Sequence, residues 1–370
     1  MKRTPAARHL AALRERLKDL PLDTLWILQP ENRRYLSGFK AQDTLLTESS
    51  GSLLITRKVA LLLTDSRYTL EAEEEAPGFR VITHRKGLSQ VLPGVLSDLG
   101  SRELGFDETH VTVDLHRRLL QGLRRLSPRP RLRPMKGLVE GLREIKDGAE
   151  IRSLEAASNL MSRILGEVIP RLEPGRRERE IAWEIEELAR EGGAEGLAFS
   201  SIVASGPNSA LPHAVPTGRR IREREPITLD VGVRIDGYCC DMTRTVFLGE
   251  PRPLFRRVYR IVREAQRAAL ERVRPGVEST FPDAIARQII GDAGYGEYFG
   301  HGLGHGVGLA PHERPRLGPD GPVRLKSGMV VTVEPGIYLP GKGGVRLEQM
   351  VVIEESGARI LTRDKHFHDF

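Results

Sequence analysis

The sequence predicts a two-domain protein of the α/β (α+β) class, a small α/β unit followed by a larger one in which helices precede strands. Three observations predict it. A length of 370 residues is too long for one average domain and sufficient for two, each with its own core. Short β-type runs alternate with helical stretches through the front third. The back two-thirds opens instead on long amphipathic helices and then carries strand-like segments. Between them, SPRPRLRP (residues 127–134) is the expected linker, because its prolines favour extended backbone and its arginines stay hydrated. The expected domains are therefore residues 1–133 and 134–370.

In chain order, LWIL (25–28), SLLI (52–55) and VALLLT (59–64) read as strands, with helices expected near 67–75 and 88–99. This front part carries no compact His/Asp/Glu set and reads as a packing or substrate-gating domain. Asp147 can cap a helix whose Ile151, Leu154, Leu160, Ile164 and Leu165 recur at helical spacing until Pro170. Pro174-Gly175 turns the chain into a second helix with Ile181, Ile185 and Leu188 on one face. Further helices are expected around 255–272 and 281–292.

Composition excludes several classes. Hydrophobic content of 39% and charge of 29% fit a globular chain, and no apolar run approaches the ~20 residues that span a bilayer. In the basic N-terminal stretch, Arg14, Glu15, Arg16, Lys18 and Asp19 interrupt the place where a signal peptide would carry its apolar core, so the cytoplasm is the expected location. The two cysteines, Cys239 and Cys240, are adjacent and offer neither a disulfide framework nor a CxxC site. The net charge of +7 is modest, and much of it lies in the acid-free stretch 117–136 with Arg118, Arg124, Arg125, Arg129, Arg131 and Arg133. That stretch reads as a solvated face rather than a nucleic-acid patch.

Five residues in the back part, Asp230, Asp241, His305, Glu334 and Glu348, supply the imidazole and four carboxylates that two divalent cations need. ITLDVGVRIDGYCCDMTRTVFLG reads as a hairpin turning at Asp236-Gly237, which sets Asp230 and Asp241 nearly opposite on one face. In GHGLGHGVGL, glycine holds every even position from 300 to 308, so an extended strand would put His301 and His305 on one face and leave the other bare for close backbone approach. Glu334 ends MVVTVE before Pro335-Gly336, and Glu348 shares a strand face with Arg346 and Met350. Singly, each acid reads as a solvated edge charge. Together, an inward carboxylate on each of several apolar strands is costly unless paired or metal-bound.

The ordered set DVGVRIDGYCCDMTRT, GHGLGHGVGL, VTVEPGIY and GVRLE closely resembles the pita-bread metallopeptidases that cleave Xaa-Pro bonds, the Xaa-Pro aminopeptidases and the Xaa-Pro dipeptidases or prolidases. The likeness covers about the last 230 residues, from REIKDGAEI onward, and NRRYLSGF in the front part resembles the creatinase-type N-terminal domain of the same proteins. It implies a curved antiparallel sheet covered by helices. Asp230 would bind one ion bidentately, Asp241 and Glu348 would bridge two, and His305 and Glu334 would complete the second. The oxygen-rich set suits Mn²⁺, with Co²⁺, Fe²⁺ or Zn²⁺ as alternatives. A water made acidic by both ions would attack the carbonyl before proline while Glu334 takes and passes on its proton.

By the same resemblance His213, in SGPNSALPHAVPT, and His312 would stabilise substrate and intermediate, and His301 would line the substrate pocket. Arg316 resembles an arginine that in some prolidases holds the dipeptide carboxylate. Arg346 competes for that task and otherwise reads as a partner of the ligand carboxylates. Gln349 departs from the aspartate common after the bridging glutamate, yet its side chain should alternate away from the site. The expected substrates are small peptides with proline second, and dipeptidase and aminopeptidase stay open. A homodimer is implied by the resemblance alone. A non-catalytic binding protein on the same fold is the rival from another class, disfavoured because all five ligand positions are intact.

Overall fold

The computed structural model describes residues 4–43, 45 and 47–370, which form two compact units meeting between Arg143 and Glu144. The first unit is built on a six-stranded mixed sheet. Its strands are β1 (Thr24–Ile27), β2 (Ser52–Thr56), β3 (Ala60–Asp65), β4 (Arg80–His84), β5 (Glu103–Asp107) and β6 (Arg131–Met135), in the order β4-β3-β2-β1-β5-β6. Helices α1 (Pro5–Leu17), α2 (Pro30–Ser37), α3 (Thr69–Glu75), α4 (Leu88–Asp98), α5 (Val113–Leu123) and the short α6 (Glu140–Arg143) belong to the same unit. The apolar runs 25–28, 52–55 and 59–64 are indeed its central strands, buried on both faces. From α2, Arg33 lies fully buried, donating to the carbonyls of Gly51 and Ala41 and pairing with Asp43 at 3.1 Å.

The expected linker is part of this sheet. Residues 131–135 pair in parallel with β5, and Arg131 and Arg133 reach Glu103 of that neighbour at 3.5 and 2.8 Å. An edge strand tolerates Pro134 because one row of its backbone groups needs no ladder partner. The expected boundary after Arg133 therefore falls inside the first unit, and the units divide later.

The second unit begins with α7 (Gly148–Val168) and α8 (Glu178–Glu191). The Asp147 carboxylate accepts from the amides of Ala149 and Glu150 while Glu150 accepts from the Asp147 amide, a complete capping box. Strands β7 (Gly196–Leu197), β8 (Ile202–Ser205), β9 (Ile227–Val231), β10 (Val233–Ile235), β11 (Tyr238–Cys239) and β12 (Met242–Val246) follow. After α9 (Pro253–Leu270) and α10 (Thr280–Asp292) come β13 (Gly304–Gly306), β14 (Glu313–Leu317), β15 (Val330–Val333), β16 (Gly336–Leu339), β17 (Gly343–Arg346), β18 (Gln349–Glu354) and β19 (Gly357–Ile360). They form sheets β12-β9-β8, β11-β10-β7 and β14-β13-β15-β18-β19 and the hairpin β16-β17, all antiparallel.

Period-two alternation explains the packing. Val330, Met350 and Val352 join the core made by α7 and α8, whereas Val331, Val333, Val351 and Ile353 join the core made by α9 and α10. The sheet is thus held between two helix pairs, and Thr332 and Glu334 share the face of Val330. No helix among the described residues is long and apolar enough to cross a membrane.

Candidate metal centre

The first two acids come from one hairpin. Asp236 and Gly237 both have positive φ, 51° and 84°, as a two-residue turn matching strand twist requires. Pairing is centred between them, so Asp230 faces Thr243 and not Asp241. Asp241 is the diagonal neighbour on the same face, a correction to the expected near-opposite placement. The hairpin breaks at Gly232, where a Cβ would stand 2.2 Å from the Cys240 carbonyl, and Asp241 sits just past this break. Cys240 points inward with its thiol pushed up to about 12 by burial.

Glu348 occupies the interruption between β17 and β18, its amide donating to the Thr243 carbonyl at 3.2 Å. Ligand oxygens of Asp230, Asp241 and Glu348 all lie within 4.8 Å of one another. His305, on β13, brings Nε2 to 3.2 Å from Glu334 Oε1 and 3.7 Å from Asp241 Oδ2. The five sequence-predicted residues therefore converge on one point.

The glycine ladder is only partly a strand. Residues 304–306 alone pair regularly, and β14 bulges between the partners of His305 and Gly306. His301 sits in a bend, its carbonyl held by Arg287 and the next-but-one amide, Leu303, by Asp283, both from α10. One continuous face shared by 301–309 is thus not observed. The glycines still serve close approach: a Cβ at Gly304 would meet the Thr332 carbonyl at 2.1 Å, and one at Gly306 the Arg314 carbonyl at 2.3 Å.

Electrostatics tests whether this cluster suits cations. Burial, followed by the charges of Glu334 and Asp230, pushes the Glu348 carboxyl up to about 8. Asp241 is raised by burial and then by Glu348. Burial also opposes ionisation of Glu334, but the hydrogen bond and charge of His305, with His301 and Arg346, outweigh it and draw that carboxyl down to about 2. For His305, burial is likewise outweighed by Glu334, and the imidazole pKa is raised.

Buried Asp230 Oδ1 and Glu348 Oε1 have no hydrogen-bond partner. His305 Nδ1 lies 3.1 Å from the Gly306 carbonyl, which can only accept, so Nδ1 carries a proton and Nε2 faces the acids. A lone pair aimed at two carboxylates requires a proton or a cation between them. These donors fit divalent metal ions.

Neighbouring residues of the same motifs support the five. Thr243 Oγ1 donates to Glu348 Oε2 at 2.8 Å and accepts from Arg346 Nε at 3.2 Å. Thr332 Oγ1 donates to Glu334 Oε1 at 2.9 Å. Arg346 is buried; Nη2 reaches Asp230 Oδ2 at 2.5 Å, and Nη1 donates to the Tyr338 hydroxyl and the Pro212 carbonyl. Tyr338, kept protonated by burial at about 12, donates on to His301 Nε2 at 2.8 Å. Period two from Asp241 would have flagged Thr243; Tyr338 ends the VTVEPGIY motif, but no spacing rule ties it to His301 or Arg346.

The remaining histidines gather at the same place. The His312 ring centre is 4.1 Å from that of His305, and burial followed by His305's charge lowers its pKa. His301 is lowered chiefly by burial. His213 is exposed in a loop whose two ends are held by one buried carboxylate, Glu178, which accepts from Ser205 and from Thr217. Arg316 stands directly across from His305 in the strand pair, exposed, its guanidinium making no ion pair or hydrogen bond among the described residues. Gln349 turns away, as expected, toward Thr362 and Arg244.

A centre of acids and one imidazole on such a scaffold is that of a metal-dependent hydrolase. More specifically, the chain belongs to metallopeptidase family M24, whose model matches residues 152–355, and it carries the creatinase/prolidase N-terminal domain over residues 9–145. The peptidase YqhT of Bacillus subtilis is 37% identical over 353 residues, 95% of this chain and 97% of that protein. A solved Xaa-Pro dipeptidase from Bacillus anthracis aligns with a TM-score of 0.90 at 34% identity, covering 97% of this chain and 98% of the other. An X-Pro aminopeptidase from Thermotoga maritima MSB8 aligns with a TM-score of 0.84 at 37% identity, covering 95% and 98%. The fold is accordingly the pita-bread fold with a creatinase-like front domain.

Proposed function

We propose that the chain is a prolidase, hydrolysing Xaa-Pro dipeptides with two divalent ions held by Asp230, Asp241, His305, Glu334 and Glu348. The observation that carries the dipeptidase reading is the position of Arg316. Directly opposed strand residues have Cβ atoms about 4.5–5.5 Å apart, so this unpaired guanidinium extends from beside the His305 ligand position. A two-residue substrate spans at most ~7 Å, which leaves the proline carboxylate of a dipeptide within reach of an arginine so placed. Arg346, the competitor, is already committed to Asp230, Tyr338, Thr243 and Pro212.

Bound ions, with Mn²⁺ favoured by the oxygen-rich set, would supply the Lewis acidity that makes water nucleophilic at neutral pH. The protein's own groups then do the following. Glu334, ionised at neutral pH, accepts the proton of the attacking water. His312 and His213 face the reacting carbonyl and supply hydrogen bonds as charge develops on its oxygen. An Xaa-Pro nitrogen bears no hydrogen, so it must gain a proton on leaving, and one of these imidazoles would deliver it. His301, neutral and fixed by Tyr338, lines the pocket for the proline ring. A cytoplasmic homodimer completes the reading on family likeness.

Chelator-stripped protein reloaded with Mn²⁺ should turn over an Xaa-Pro dipeptide with higher kcat/KM than an Xaa-Pro-Yaa tripeptide. The reverse order would make it an aminopeptidase, and turnover of neither would leave the binding-protein reading.

A further inference from the structure

Behind the centre, on the face opposite the acids, a second buried ion pair joins the site to the segment that follows β19. Arg244, on β12, is fully buried. Its Nη1 donates to two main-chain carbonyls, that of Thr243 at 2.8 Å and that of Glu348 at 2.6 Å. One guanidinium therefore ties together the two backbone stretches that present Glu348 and the hydroxyl donating to it. Its other side faces Asp364, with Nε to Oδ1 at 2.8 Å and a close Nη2 to Oδ2 contact. The segment bearing Asp364 is well anchored. Thr362 binds both Gln349 and the Met350 amide, the Phe367 ring lies under the Arg244 and Arg263 guanidinium groups, and the His368 amide donates to the Tyr259 hydroxyl.

A guanidinium held in this dry position needs a counter-charge. We infer that Asp364 is a positioning residue for the metal centre: through Arg244 it fixes the main chain at Thr243 and Glu348, so that residues 361–370 set the affinity for the ions. The inference rests on the metal ligands proposed above and adds a device that none of those ligands reveals. Gln349 offers an internal control, because its Oε1 lies 3.5 Å from the Nη2 that Asp364 contacts, and Gln349→Glu, a change of equal length, puts a carboxylate beside the same guanidinium.

Equilibrium dialysis and calorimetry of the full chain with Mn²⁺, alongside thermal melting, test it. Wild-type protein should bind two Mn²⁺ per chain. Asp364→Asn should weaken at least one by ~10- to 100-fold, the range for partners behind a metal ligand, and adding Gln349→Glu should restore affinity to within about threefold of wild type. Wild-type affinity in Asp364→Asn, or a folded double variant that regains none of the loss, overturns the inference. Should Asp364→Asn not fold, the pair Arg244→Met/Asp364→Leu removes both buried charges; folded protein with weakened Mn²⁺ binding supports the positioning role, and wild-type binding overturns it. Wild-type protein that binds no Mn²⁺ refutes the metal reading itself, a distinct result.

Discussion

Stripped of divalent ions, the second unit should lose stability as pH rises from 6.5 to 8. Glu348 is 1% exposed, and burial with the charges of Glu334 and Asp230 holds its carboxyl at about 8 against an ordinary 4.5. Between those values the folded chain keeps a proton that the unfolded chain has released, so stability falls with pH by about 1.4 kcal/mol per unit. From 6.5 to 8 that amounts to about 2 kcal/mol from this residue. Asp241 and His305, both raised, act in the same direction, since each holds a proton longer in the folded state. Glu334, drawn to about 2, is ionised in both states throughout the window and contributes no slope. His301, His312 and His368 have lowered values and oppose the trend most strongly below the ordinary imidazole value of 6.5, their effect fading over about one unit above it. For a unit of this size about 2 kcal/mol corresponds to a fall in Tm of about 4–8 °C. Calorimetric melting in EDTA at the two pH values checks it, with Glu348→Gln expected to flatten most of the fall. Saturating Mn²⁺ should reverse the trend, because the ligands must be deprotonated to bind. Equal Tm at both pH values in EDTA, or an undiminished fall in Glu348→Gln, would refute the reasoning.

Two substitutions probe the centre more directly. Asp241→Ala, which removes the acid shared by the Asp230–Glu348 group and the His305–Glu334 group, should abolish both turnover and Mn²⁺ uptake; full activity with one ion missing would contradict a two-ion mechanism. Arg316→Ala should raise KM for an Xaa-Pro dipeptide by ~10- to 100-fold, the worth of a charged hydrogen bond, and affect a tripeptide much less; equal effects would remove the carboxylate role.

What the sequence disclosed is what depends on local rules. Asp236-Gly237 announces its turn because both residues must take positive φ, and Asp147 with Glu150 announces a helix start through reciprocal short-range hydrogen bonds. The four acids were legible because each interrupts or ends a largely apolar strand-like run, and the imidazole because it stands in a glycine ladder. SPRPRLRP misled because the same alternation of arginine with leucine and proline that looks like a wet linker also suits an edge strand whose outward residues meet Glu103. The glycine ladder misled differently: glycine permits a continuous strand but does not impose one, and the bulge beside His305 is set by β14. The roles of Tyr338 and Thr332, which lie within VTVEPGIY, and of Asp364 were not legible, since what makes them matter is a partner brought near by the fold.

The distribution of the protein's own positive charge supports the proposed seat of the ions. Among the four acids, Asp230 is given Arg346 and Glu334 is given His305, each as a close ion pair. Asp241 and Glu348, which lie between them, have no cation of their own: His305, already paired with Glu334 at 3.2 Å, stands 3.7 Å from Asp241, and Glu348 has a threonine hydroxyl on one oxygen and nothing on the other. Cationic side chains placed at both central acids would have stabilised the empty fold and blocked metal from the space within 4.8 Å of three carboxylates. Leaving the central pair uncompensated raises their proton affinity in the metal-free chain, so the same two residues that weaken it above pH 6.5 are those on which bound ions have most to act.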